Sequence, residues 1–151
     1  MSHLDPNCPA SERRWRSLAV ATLVIGGCSS FSPSGPALPV GAIPMAEGPE
    51  YRAWFAKTEL CSGLKGQYDV VQWFVVPGAE TFSTREGPKV GIWEKSGRSA
   101  KIVVAGNYSS HEMVIRHEML HHLLDREGHP GAYFVDRCHL TWESWSAVGD
   151  R

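Results

Sequence analysis

His117-Glu118-Met119-Leu120-His121 places two imidazoles four residues apart, with a carboxylate beside the first. On an α-helix four residues advance about 400°, so the two rings lie one turn apart and offset by about 40°. Two ring nitrogens placed that way can reach one tetrahedral zinc ion. Glu118 stands about 100° round from His117. From there its carboxylate can reach a metal-bound water without binding the metal. Zinc brings the pKa of such a water down to about 7, and the carboxylate takes its proton during attack on a carbonyl. A chain of this composition would contain HExxH by chance only about 0.02 times. The bland alternative is a charged helix face with incidental histidines. Against it, His117 and His121 share a stripe with Met113, Val114 and Leu124, the side expected to face inward. Inward imidazoles need partners, and a metal supplies one.

Five of the seven histidines fall between positions 111 and 129. His129 follows Gly128, where a C-terminal glycine turn can return the chain towards the metal, and it is the leading third ligand. Glu143, set between Trp142 and Trp145, is the second candidate, and Glu127, Asp125 and His139 also offer ligating atoms. Tyr133, four residues past His129, either polarises the scissile carbonyl as an oxyanion stabiliser or fills the core. Asp136 could orient a ligand imidazole. His122 points about 100° away from the metal stripe, and His111 is expected at the surface.

The run from His117 to His121, followed by Gly128-His129 and Phe134, resembles the zincin metallopeptidases, and within them the compact SprT-like and minigluzincin type. The resemblance covers roughly residues 68–138, and only HExxH is sharp. It implies a small sheet over an active-site helix, one zinc ion and hydrolysis of a peptide bond in a peptide or protein substrate. The metzincin subfamily is disfavoured, because Leu124 and Glu127 stand where its pattern needs Gly and His.

The elements that must position these residues follow from pattern. A short helix is expected over Glu50–Lys57, after Pro49. Tyr68–Val76, rich in β-branched and aromatic residues and closed by Pro77-Gly78, is the strongest strand. Val90–Glu94 and Ala100–Ala105 are two further strands, joined through Ser96-Gly97. The long helix is capped by Ser109 or Ser110, runs to Arg126 and ends at Gly128. A further short helix is expected within His129–Cys138. The expected fold is α+β: a short, mostly antiparallel three-stranded sheet packed on the HExxH helix. About 100 residues leave little wall for a deep cleft, so a partner could complete it.

The first third reads differently. Arg13, Arg14 and Arg16 precede the apolar run Ser17–Gly27, 11 residues and about 17 Å as helix, too short to cross a bilayer core of about 30 Å. That is the form of a secretory signal peptide. Its exit, Ile25-Gly26-Gly27-Cys28, resembles the bacterial lipoprotein signal. The resemblance implies cleavage after residue 27 and acylation of Cys28, which would anchor the chain to a membrane. Ser29 in the next position favours the periplasmic side of the outer membrane in a Gram-negative cell. Residues 28–49 are the expected tether, proline-rich and tending to polyproline II rather than sheet. The domain then occupies 50–151. With Cys8 in the signal and Cys28 lipidated, Cys61 and Cys138 are left as a disulfide pair for an oxidising compartment.

A net charge of −1 gives no electrostatic case for nucleic acid, and 42% apolar residues exclude a fully disordered chain. Three function classes remain. One is a membrane-tethered zinc peptidase of the cell envelope. The second is a non-catalytic zinc-binding or envelope-assembly lipoprotein, and the third a metal-independent binding lipoprotein held by the disulfide. Glu118 favours the first, because a structural site has no need of a carboxylate there.

Overall fold

The computed structural model describes residues 37–149. The expected signal peptide, Cys28 and the start of the tether lie outside the described residues.

Strand β1 (Ile43–Pro44) is followed by helix α1 (Tyr51–Ser62), strand β2 (Val71–Val76), a hairpin of β3 (Phe82–Thr84) and β4 (Gly87–Lys89), then β5 (Gly91–Ser96) and β6 (Ser99–Ala105). Helix α2 (Glu112–Leu124), a π-helical turn (Ala132–Arg137) and helix α3 (Trp142–Gly149) complete the fold. The class is α+β, as expected, but the sheet is not the mostly antiparallel three-stranded one. It has four strands in the order β1-β2-β6-β5, and its central pair, β2 and β6, is parallel. The reason lies in β6. Ala100 and Ile102 to Ala105 are buried at 0–2% exposure. A continuous apolar run suits a strand covered on both faces, so it takes an interior place beside β2. The chain reaches it by detouring through the β3–β4 hairpin and folding back at Gly97 (φ 62°), which supplies the left-handed conformation of a tight β5–β6 loop.

Period-two alternation then divides the core. Trp73, Ile102 and Val104 meet Tyr51, Trp54 and Phe55 of α1 and Ile115 and Met119 of α2 on one face. Val103 and Ala105 meet Phe82 of the hairpin, with Leu38 and Ala42, on the other. Those last two residues belong to the expected tether. Ile43–Pro44 also lie within it, and they pair antiparallel with Phe74 and Val75, correcting the expectation that this stretch builds no sheet. Proline is tolerated because β1 is an edge strand.

Helix α1 runs five residues past its expected end, to a left-handed cap at Gly63. Thr58 and Ser62 are fully buried, and their hydroxyls bond back to Trp54 O (2.8 Å) and Thr58 O (2.7 Å). They face Arg116 of α2, whose Nε donates to Thr58 Oγ1 at 3.2 Å and whose Nη1 pairs with Glu112 at 3.1 Å. A third cluster, Met113, Leu120, Phe134, Cys138 and Leu140, ties α2 to the C-terminal segment. The disulfide Cys61–Cys138 closes it onto α1, as expected.

Candidate metal centre

Helix α2 starts with His111 as N-cap, not Ser109 or Ser110, and stops earlier than Gly128. Asp125 takes a left-handed conformation (φ 51°) and is held by an ion pair with Lys95 of β5. This early reversal places the Arg126 carbonyl 2.8 Å from His121 Nδ1. The Leu140 carbonyl stands 2.6 Å from His117 Nδ1. A carbonyl only accepts, so in both rings Nδ1 carries the proton and Nε2 presents its lone pair.

Those lone pairs converge. His117 Nε2 is 3.2 Å from His121 Nε2, and His129 Nε2 is 2.9 Å and 3.2 Å from the two. The Nε2 atoms of His117 and His121, both acceptors, face each other at this range and repel unless a cation or a donor lies between them. A tetrahedral ion with Zn–N of about 2.0–2.1 Å separates its ligand nitrogens by about 3.3 Å. The donor set and spacing therefore fit a transition-metal ion such as zinc. Among the described residues this trio is the only group of three His, Cys, Asp or Glu side chains that could hold a metal. Burial pushes the His117 and His121 pKa values down to about 4, and burial followed by the charge of Lys89 lowers that of His129. The rings are thus neutral, as ligands must be. Fully buried Phe134 backs all three, its ring centroid 4.7–4.9 Å from each. Trp93 of β5 stacks on His121 at 6.4 Å.

Glu118 is buried beside this trio, and burial raises its carboxyl pKa to about 8, against a lowering by Lys89. It lies hard against β5. A Cβ on Gly91 would stand 2.6 Å from Glu118 Oε1, so glycine is what lets the carboxyl in. Three histidines and Glu118 line one cleft of about 1170 Å³, walled by the β3–β4 hairpin, β5, residues 37–40 and residues 140–143.

The other expected site residues fall elsewhere. Tyr133 packs in the cluster below α2, with the Arg137 guanidinium 5.0 Å from its ring, and does not line the cleft. Glu143 and Glu127 line the cleft but are not in the histidine trio. Asp125 caps α2, and Asp136 is exposed. His122 is 3.0 Å from Gln67 O, and His111 is half-buried against Tyr108 and Trp142 rather than exposed. Sequence reasoning missed Lys89 and Gly91, and it missed both carbonyls. Backbone acceptors have no residue type, and the hairpin is not a pattern that points at a site.

No family model matches the chain, and no curated protein and no solved structure matches it. The assignment rests on the residues themselves.

Proposed function

We propose that the chain is a zinc-dependent peptidase of the cell envelope, with His117, His121 and His129 as ligands and Glu118 as general base. The observation that carries this reading is the convergence of three Nε2 atoms within 3.2 Å, next to a buried carboxylate that is not a member of the set. Structural zinc sites usually fill four positions with protein ligands, and three leave one open. Zinc, when bound, supplies Lewis acidity at a scissile carbonyl and makes water more acidic.

This chain's own residues would do the rest. The cleft takes an extended segment. β5 pairs with β6 alone among the described strands, so its other edge can receive a substrate backbone as an added strand. Glu118 takes a proton from the attacking water and delivers one to the leaving nitrogen. Burial holds it towards the protonated form. Lys89 and a cation at the histidines draw it back towards the carboxylate. The disulfide suits an oxidising compartment, and no helix among the described residues is long and apolar enough to cross a membrane. Envelope anchoring therefore rests on Cys28 and its lipoprotein-like signal.

The test compares wild type with Glu118→Gln on denatured-protein substrates. Both should hold about one zinc, and cleavage should fall at least about a hundredfold in the variant. Equal cleavage by both overturns the role of Glu118. One tightly held zinc without cleavage by either supports the non-catalytic zinc-binding alternative.

A further inference from the structure

We propose that Lys89 is the catalytic group that binds the oxyanion of the tetrahedral intermediate, an assignment that rests on the peptidase reading above. Peptide hydrolysis places negative charge on the carbonyl oxygen. Water oxygen bonds to the carbonyl carbon while Glu118 takes its proton, and the C=O π pair moves onto the oxygen. The pair then returns, the C–N bond breaks, and the nitrogen leaves with the proton. A positioned donor or cation at that oxygen is usually a large part of the acceleration.

Tyr133 does not line the cleft, so the expected donor is not at hand. Glu94, Glu127 and Glu143 line it, and as carboxylates they accept rather than donate. Lys89 closes β4 and lines the cleft with all three histidines and Glu118. Two residues on is Gly91, where a Cβ would stand 2.6 Å from Glu118 Oε1, so the hairpin exit passes close to the base. The other cation on the wall, Arg85, is exposed in the hairpin turn.

The Lys89 ammonium pairs with Glu86 at 3.1 Å, a carboxylate that is 73% exposed. Exposed pairs of this kind are weakly held. A substrate oxyanion in a water-poor cleft is a stronger partner.

The test uses the zinc-loaded chain and a phosphinic tripeptide, whose tetrahedral phosphinate carries the same charge as the intermediate. Calorimetry should show Lys89→Met binding it at least about tenfold more weakly, with Lys89→Arg restoring most of the affinity and zinc content equal in all three. On a cleaved peptide, Lys89→Met should lower kcat more than it raises KM. Equal phosphinate affinity in Lys89→Met and wild type, or no binding by wild type, overturns the assignment. Lys89-dependent phosphinate binding by a wild type that cleaves no peptide overturns the peptidase reading while leaving the anion site standing.

Discussion

Glu118 is a costly residue to keep. A carboxyl whose folded pKa is raised to about 8 from 4.5 contributes its full stability below 4.5 and loses it as the pH rises through 8. Glutamine in its place cannot ionise. In the metal-free protein, Glu118→Gln and wild type should therefore melt together near pH 4.5, and the variant should melt several degrees higher by pH 8. Thermal melts across that range check this, and a difference that does not grow with pH contradicts the burial of the carboxyl. The histidines titrate in both proteins and cancel. HExxH was legible because its spacing is a helical period; His129 was picked out for a turn at Gly128, whereas the left-handed residue that turns the chain is Asp125. Of the two readings of Tyr133, the structure gives the core one. Tyr133 and Phe134 are adjacent, so only one can face the histidines, and the apolar ring takes the fully buried position.

At the scale of elements, the site depends on a segment that is only partly helical. Residues 129–140 supply His129, Phe134 and the Leu140 carbonyl, and Leu140 N in turn donates to Phe134 O at 2.7 Å. Cys138 fastens this segment to α1 across a sequence separation of 77. A loop of that length is worth about 4.5 kcal/mol by chain entropy. The Cys61→Ser/Cys138→Ser double variant should melt well below wild type. It should also bind zinc at least about tenfold more weakly in competition with a chromophoric chelator, because the third ligand is no longer held. A lowered melting point with unchanged zinc affinity would show that the disulfide supports the fold and not the site. The strands were legible where β-branched residues cluster. The parallel pairing was not, because strand order is set by which strand must be buried on both faces. The cap of α2 was placed three residues late, at Gly128, because glycine is the usual left-handed cap and Asp125 performs that role with help from Lys95, a partner distant in sequence.

For the whole molecule, the boundary between tether and domain is less abrupt than proline content suggests. Leu38, Ala42 and β1 pack with the sheet, so a soluble fragment for experiments has to begin before residue 37. The same stretch, residues 37–40, walls one side of the cleft that holds the histidines and Glu118. Anomalous scattering at the zinc edge, from crystals of the zinc-loaded chain, tests the open three-histidine metal site most directly. The predicted result is one peak about 2.0–2.1 Å from the Nε2 atoms of His117, His121 and His129, with no fourth protein ligand. A peak elsewhere, or a tetrahedron closed by Glu143 or Glu118, would contradict it.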